Sequence, residues 1–166
     1  MKLDEYHKTL TEQLKQVTLC LLVKDSEVLL AMKKRGFGKG RWNGVGGKPE
    51  QGETIKEALL RETREEIGVT LTSYRQVATL NFYFPHQPDF NQQVCVFLAD
   101  EWEGAPTETE EMKPQWFRKD EIPFDSMWSD DKHWLPVVLK GLVLKADFMF
   151  KEGDELLDFE LLEGSY

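Results

Sequence analysis

Cysteine is scarce in this chain. Cys20 and Cys95 are the only two among 166 residues, and each lies inside a strand-like run, Val17–Val23 or Val94–Leu98. They read as reduced core thiols of a cytoplasmic protein and not as a disulfide framework. No apolar run is long enough to span a bilayer, and Met1–Gln16 is too polar for a signal peptide. Positive charge is in deficit as well. Against 30 Asp and Glu stand 21 Lys and Arg, a formal net charge of −9 that argues against a nucleic-acid polymer as partner. A small phosphorylated ligand carried on a divalent cation is not excluded, because the cation supplies the local positive field. Internal repeats, linkers and low-complexity stretches are absent too. The length then suggests a single domain, 1–166, with room for a substantial core. A monomer is expected, since no long unpaired apolar stripe remains.

What the chain does contain is an unusual acidic segment, residues 47–69. Thr54 followed by Glu57 reads as a capping box and Gly68 as a C-terminal stop, with a helix of about four turns between them. At about 100° per residue, Ile55, Ala58 and Leu59 fall on the face that should pack against a core. Glu62 and Glu66 share that direction, as i,i+4 neighbours of like charge near the negative end of the helix dipole. Burying both without a partner would cost several kcal/mol or force protonation. A divalent cation removes the conflict; a solvated charged helix is the plainer alternative. Gly46, Gly47 and Gly52 make the approach a loop whose backbone can come close to a ligand. Glu53 closes the loop, and Arg61 can reach back to hold its carboxylate. Carbonyl and carboxylate oxygens suit Mg²⁺, or Mn²⁺, better than zinc. Mg²⁺ usually completes its shell with water and phosphate oxygens, so chemistry on a phosphate ester or anhydride is the natural inference.

Gly47, five residues, Glu53, seven residues, then Arg61-Glu62-Thr63-Arg64-Glu65-Glu66-Ile67-Gly68-Val69 resembles a complete Nudix box. Thr63 stands where the family pattern usually has an aliphatic residue, a change that touches packing under the helix and not a ligand. The resemblance implies an α/β protein of the Nudix fold, an α/β/α sandwich around a mixed central sheet.

The order of elements agrees with that class. Lys2–Gln16 is expected to form a short helix or an ordered extension, with Leu3, Tyr6, Leu10 and Leu14 at near-helical spacing. Val17–Lys24 and Glu27–Met32 read as a strand pair joined by a tight Asp25-Ser26 turn. After the glycine-rich Gly36–Gly47 and the acidic helix come two longer strands, Ser73–Phe84 and Gln93–Ala99. Gln115–Arg118 is a short strand and Lys132–Lys140 a second helix despite Pro136. Ala146–Phe150 and Leu156–Leu161 close the chain as a hairpin across Gly153.

Outside the box, aromatic residues and acids cluster. Phe82 and Phe84 alternate on one strand face with Asn81 and Tyr83 opposite, and Trp116, Trp128 and Trp134 crowd one segment. Such rings either pack the core or stack on nucleobases, at roughly 1–3 kcal/mol per base. Asp130-Asp131 either caps the second helix or reads a base. Two close carboxylates discourage each other's ionisation, so one keeps a proton and the pair offers a donor and an acceptor to a purine edge. Asn43 can add both from the opposite side.

The likeness narrows within the family to the MutT-like enzymes that act on oxidised purine nucleoside triphosphates. It is carried by Met32–Gly44 (MKKRGFGKGRWNG), Glu111–Phe117 (EMKPQWF) and Ile122–Asp131 (IPFDSMWSDD), and it runs from about Thr18 to Phe159. By that resemblance Asn43, Asp130 and Asp131 would read the oxidised base, with Trp128 stacking on it. Thr18, Lys33, Phe37, Phe82, Phe84, Met112, Trp134 and Phe150 would line the pocket and its mouth. The Gly46 carbonyl, Glu62, Glu65, Glu66 and Glu111 would hold metal. The expected reaction is Mg²⁺-dependent hydrolysis of a triphosphate such as 8-oxo-dGTP to monophosphate and pyrophosphate, with attack in line at the β-phosphorus. Glu65, Glu66 or Glu111 could serve as base, while Arg61 and Glu53 order the site. The loop Pro85–Gln93 is one residue longer than in that branch, and Gln92 or Gln93 replaces an apolar pocket residue. Other Nudix substrates, such as an undamaged nucleotide, a nucleotide sugar or a dinucleoside polyphosphate, stay open. So does a non-catalytic ligand-binding module.

Overall fold

In the computed structural model, residues 1–163 are described; the last three positions of the predicted 1–166 domain lie outside the described residues. Two sheets carry the molecule. The larger joins β1 (Lys15–Leu22), β4 (Thr70–Tyr83), β5 (Gln92–Glu103), β7 (Leu144–Phe150) and β8 (Leu156–Glu163) in the order β1-β5-β4-β7-β8. It is mixed: β1 runs parallel to β5 and β4 parallel to β7, while the other pairings are antiparallel. The smaller sheet places β2 (Glu27–Lys33) between β3 (Trp42–Asn43) and β6 (Met112–Arg118).

Alternation along the strands of the larger sheet builds two cores, one on each face. On one face Leu21, Val96, Leu80 and Phe148 pack with Trp134, Leu135 and Val138 of α3 (Asp131–Leu139). On the other, Cys20, Leu22, Cys95, Phe97 and Ala99 pack with Leu59 and Ile67 of α2 (Ile55–Ile67). The mixed sheet therefore lies between helices, the expected α/β/α arrangement. Both cysteines are buried free thiols, and burial pushes the Cys20 thiol up to about 12. No helix among the described residues is long and apolar enough to cross a membrane.

The acidic helix forms as its ends dictate. Thr54 Oγ1 accepts from the Glu57 amide and Glu57 Oε1 from the Thr54 amide, each at 3.1 Å. Gly68 ends the helix at φ +76°, a conformation strained for residues with a Cβ. Thr63 is fully buried, and its hydroxyl donates back to the Leu59 carbonyl at 2.7 Å. The departure from an aliphatic residue is thus met inside the helix, and Thr63 also touches the Cys20 thiol.

One expectation is overturned. β1 and β2 are not a paired hairpin: they belong to different sheets and meet at a single bridge, Val23 to Val28. Both edges of β1 are already occupied. β5 takes one along eight residues, and the glycine-rich loop takes the other through Cys20 N–H to Val45 O (2.6 Å) and Thr18 N–H to Gly47 O (2.9 Å). β2 finds its partner in β6 instead. Boundaries also shift: β4 begins at Thr70 and crosses three irregularities in register before Ala78, and β5 runs on to Glu103.

Residues before β1 are partly built into the molecule. α1 (Leu3–His7) buries Leu3 and Tyr6 against Tyr83 and Met149, on the sheet face opposite Phe82 and Phe148. Tyr6 Oη accepts from Asn91 Nδ2 at 2.9 Å, and Asn91 Oδ1 accepts from the Phe84 amide at 2.6 Å. The edge strand β8 leaves Leu157, Phe159 and Leu161 exposed in alternation, an apolar row that the sequence reading did not register. Because a buried amide left unpaired costs about 1–3 kcal/mol, Asn91→Ala should lower the unfolding free energy by about 2 kcal/mol and Tyr6→Phe by about 1 kcal/mol. Urea denaturation of the two single variants and the double variant checks this, with non-additivity expected from their shared bond.

Candidate active site

Arg61 organises the acidic end of the site. Its Nε and Nη2 form a two-pronged pair with the Glu53 carboxylate at 2.8 and 2.9 Å, Nη1 donates to Glu62 (2.9 Å) and Glu65 (3.1 Å), and Nη2 also reaches the Lys48 carbonyl (3.1 Å). A planar guanidinium can serve four acceptors in this way where a lysine could not. The Arg61 hydrogen bonds, aided by the Glu50 amide, hold the Glu53 carboxyl below its ordinary range.

The glycine loop closes tightly on α2. A Cβ on Gly47 would stand 2.6 Å from the Glu62 carboxylate, and one on Gly46 would stand 2.0 Å from the Thr18 carbonyl oxygen. Thr18 secures the approach, its buried hydroxyl accepting from Gly47 N–H (3.1 Å) and donating to Gly47 O (3.2 Å). Gly46 N–H then donates to Glu66 at 3.0 Å. Glu66 is only 5 % exposed, and burial pushes its carboxyl up to about 8, with repulsion from Glu62 and Glu111 adding to the effect. Burial also raises Glu62, against the pull of Arg61. Glu65 and Glu111 sit at the surface, Glu111 within 3.3 Å of Arg35.

As the side chains stand, no three His, Cys, Asp or Glu groups among the described residues converge closely enough to grip an ion. Arg61 holds Glu62 and Glu65, and Gly46 holds Glu66. The donor chemistry nevertheless fits a hard divalent cation: the set is all oxygen, and the buried Glu66 is repelled by the half-buried Glu62.

Beside this cluster lies a cavity of about 430 Å³ that Glu66 helps to line. All twelve residues expected to bind substrate line it: Thr18, Lys33, Phe37, Asn43, Phe82, Phe84, Met112, Trp128, Asp130, Asp131, Trp134 and Phe150. β1 and β4 supply Thr18 and Phe82, the loop before the box supplies Phe37, and the segment entering α3 supplies Trp128 and both acids. Phe84 stacks on Phe150 with centroids 5.1 Å apart, and Phe37 and Trp128 meet at 5.0 Å. Asp130 and Asp131 are each 3 % exposed. Asp130 Oδ2 accepts from Trp134 Nε1 at 2.8 Å, whereas the buried Asp131 Oδ2 has no hydrogen-bond partner among the described residues. Burial raises the Asp130 carboxyl to about 6; Asp131 is lifted well above its ordinary range by burial and by the charge of Asp130. Neither acid caps α3 through its side chain; the cap residue Asp130 makes no such bond.

Of the two glutamines in question, Gln92 lines the cavity, while Gln93 points to the other face and bonds Asn81 (3.0 Å) and Gln16 (3.2 Å). Sequence reasoning missed Arg41, Phe90 and Asn91. Phe90 and Asn91 lie at the end of a single 3-10 turn, Pro88–Phe90, too short to show a period. Arg41 is next to the quoted Trp42-Asn43, yet its contacts with Trp128 and Asp154 are remote in sequence and leave no local signal.

A phosphohydrolase is the class that this fold, with its acidic helix beside an aromatic-lined cavity, suits, and comparison with known proteins makes the family specific. The NUDIX domain model matches residues 13–138, and the chain belongs to the Nudix family. It is 44% identical over 146 residues to the mouse oxidized purine nucleoside triphosphate hydrolase, covering 88% of this chain and 93% of that protein. The zebrafish protein of the same name is 44% identical over 149 residues, covering 90% and 95%. Among solved structures, a MutT protein of Bacillus halodurans superposes with a TM-score of 0.79 at 32% identity, over 89% of this chain and 97% of that one.

The buried acid pair has a consequence for stability. Its folded-state pKa values lie above the unfolded value of 3.8, so the stability it lends is complete below pH 3.8 and is lost as pH rises through about 6 for Asp130 and higher for Asp131. Melting temperature should therefore fall from pH 5 to pH 8, and fall less steeply in Asp131→Asn. Calorimetry across that range measures both slopes; equal slopes would contradict the buried-pair reading.

Proposed function

We propose that this protein hydrolyses oxidised purine nucleoside triphosphates, 8-oxo-dGTP among them, to the monophosphate and pyrophosphate, with Mg²⁺ as the working cation and Mn²⁺ as a substitute. One observation carries the reading. Two buried acids, one with an unpartnered oxygen, share an aromatic-lined cavity with Glu66 and the glycine loop of the box. A site that presents buried polar groups to a base edge discriminates far better than an apolar slot does. With one acid protonated and the other ionised, the pair offers a donor and an acceptor side by side; Asn43 lines the same cavity, with its Oδ1 accepting from the Gly44 amide at 2.8 Å.

The roles follow from this arrangement. Glu62, Glu65, Glu66, Glu111 and the Gly46 carbonyl would hold the cation, which when bound supplies charge neutralisation along the phosphate chain. Arg61 holds Glu53 ionised and oriented, which suits Glu53 to ordering the loop more than to accepting a proton. The proton of the attacking water passes to Glu65, Glu66 or Glu111, and the water attacks in line at the β-phosphorus. Lys33, which lines the cavity, meets the phosphates or the sugar. Trp128 stacks on the purine, and Phe82, Phe84 and Phe150 shut water out. Two buried thiols and a negative surface suit a monomer of the cytoplasm acting on free nucleotides, not on a nucleic-acid polymer.

In a pyrophosphate assay, wild type should favour 8-oxo-dGTP over dGTP in kcat/KM, and chelation by EDTA should abolish turnover. Asp130→Asn should cut the preference by roughly tenfold, the scale of one buried hydrogen bond. Glu66→Gln should lower kcat by roughly 10²–10³-fold. Equal turnover of both nucleotides would leave a Nudix hydrolase with another substrate; turnover of no nucleotide would favour a ligand-binding module.

A further inference from the structure

The turn between β7 and β8 is far from the box, yet three of its features point back to the cavity. Asp154 is the one described residue other than glycine with positive φ, at +61°. Aspartate tolerates that region better than most side chains because its short polar group bonds locally. Here the carboxylate goes elsewhere: Asp154 Oδ2 accepts from Arg41 Nη1 at 3.2 Å, across 113 positions of sequence. The backbone carbonyl of Asp154 accepts from Ser129 Oγ at 3.1 Å. Arg41 in turn lays its guanidinium 4.0 Å from the centroid of the Trp128 ring. One turn thus ties together the loop before the box through Arg41 and the Trp128-Ser129-Asp130 segment through Ser129.

We propose that this turn is a clasp that sets the position of the Trp128 indole through Arg41, which makes Asp154 a positioning residue for purine stacking. The proposal rests on the reading of Trp128 as the stacking wall. Asp154 does not itself line the cavity. Its effect passes through a guanidinium that is planar enough to lie on an indole and forked enough to keep a carboxylate. An unfixed Trp128 would have to be ordered by each incoming nucleotide, which weakens binding without touching the phosphate chemistry. Stacking is blind to the oxidised position of the base, because every base has a π-face. The clasp therefore acts on all purines alike, while preference among them stays with Asn43, Asp130 and Asp131.

Two substitutions separate the carboxylate from the backbone. Asp154→Gly keeps the left-handed turn and the carbonyl that Ser129 uses, and removes only the hold on Arg41. Asp154→Asn keeps an acceptor for Arg41 without the charge. Steady-state kinetics with 8-oxo-dGTP and dGTP should show KM raised about fivefold in Asp154→Gly, by the same factor for both nucleotides, with kcat changed less than threefold. Asp154→Asn should fall between that variant and wild type. Arg41→Lys, which keeps the charge but loses the planar stack, should match Asp154→Gly. Unchanged KM in Asp154→Gly, or a rise confined to one nucleotide, overturns the clasp while leaving the functional reading intact. Wild type that turns over no purine nucleotide overturns both.

Discussion

Two carboxylates of α2 lie on its inward face, Glu66 buried and Glu62 half-buried, where an uncompensated charge is costly. Much of the surrounding structure can be understood as accommodation of that placement. A side chain on Gly46 would run into the Thr18 carbonyl and one on Gly47 would displace the Glu62 carboxylate, and the Gly46 amide gives Glu66 its hydrogen bond. Arg61 spans Glu53, Glu62 and Glu65 and so fastens the loop to the helix that follows it. Thr18, from the sheet, closes the same loop from beneath. The protein thus keeps negative charge where it is least comfortable and surrounds it with donors that do not fully neutralise it. A divalent cation would resolve that tension.

The sheet links this cluster to the aromatic-lined cavity. β1 has no free edge, because the glycine loop pairs with it on one side and β5 on the other. The loop that holds the carboxylates is therefore itself part of the sheet's hydrogen bonding. Strands β1, β4 and β7 then present Thr18, Phe82 and Phe150 to one cavity, and α3 brings Asp131 and Trp134 to it. One rigid layer thus holds the acidic cluster and the aromatic-lined cavity at a fixed spacing, as the proposed substrate of fixed length would require.

Local features were legible in the sequence to the extent that their physics is local. The capping box at Thr54, the glycine stop at Gly68 and the reach of Arg61 to Glu53 depend on residues within a few turns, and each is found as read. The acid pair was legible because adjacent carboxylates have few inexpensive explanations; resemblance supplied most of the cavity residues. The pairing of β1 was not legible, since a turn at Asp25-Ser26 suits a hairpin, and only the glycine loop's claim on the β1 edge rules it out. Tyr6 and Asn91 act on each other across 85 positions, and Arg41 acts on Asp154 across 113; no period in the sequence reports such contacts. A polar residue at position 92 was foreseen only as one of two candidates, because a one-residue difference in loop length exchanges the faces on which Gln92 and Gln93 lie.

Cation binding by the α2 carboxylates can be tested without substrate. Titration calorimetry of Mg²⁺ or Mn²⁺ into the metal-free protein near neutral pH, in buffers of different ionisation enthalpy, reports the protons released on binding. Glu66, raised to about 8 by burial, must give up its proton to become a ligand, so binding should release protons at pH 7 and both release and affinity should fall sharply in Glu66→Gln. Undiminished affinity in Glu66→Gln, with no proton released by wild type, would contradict the assignment of α2 as the metal-holding element.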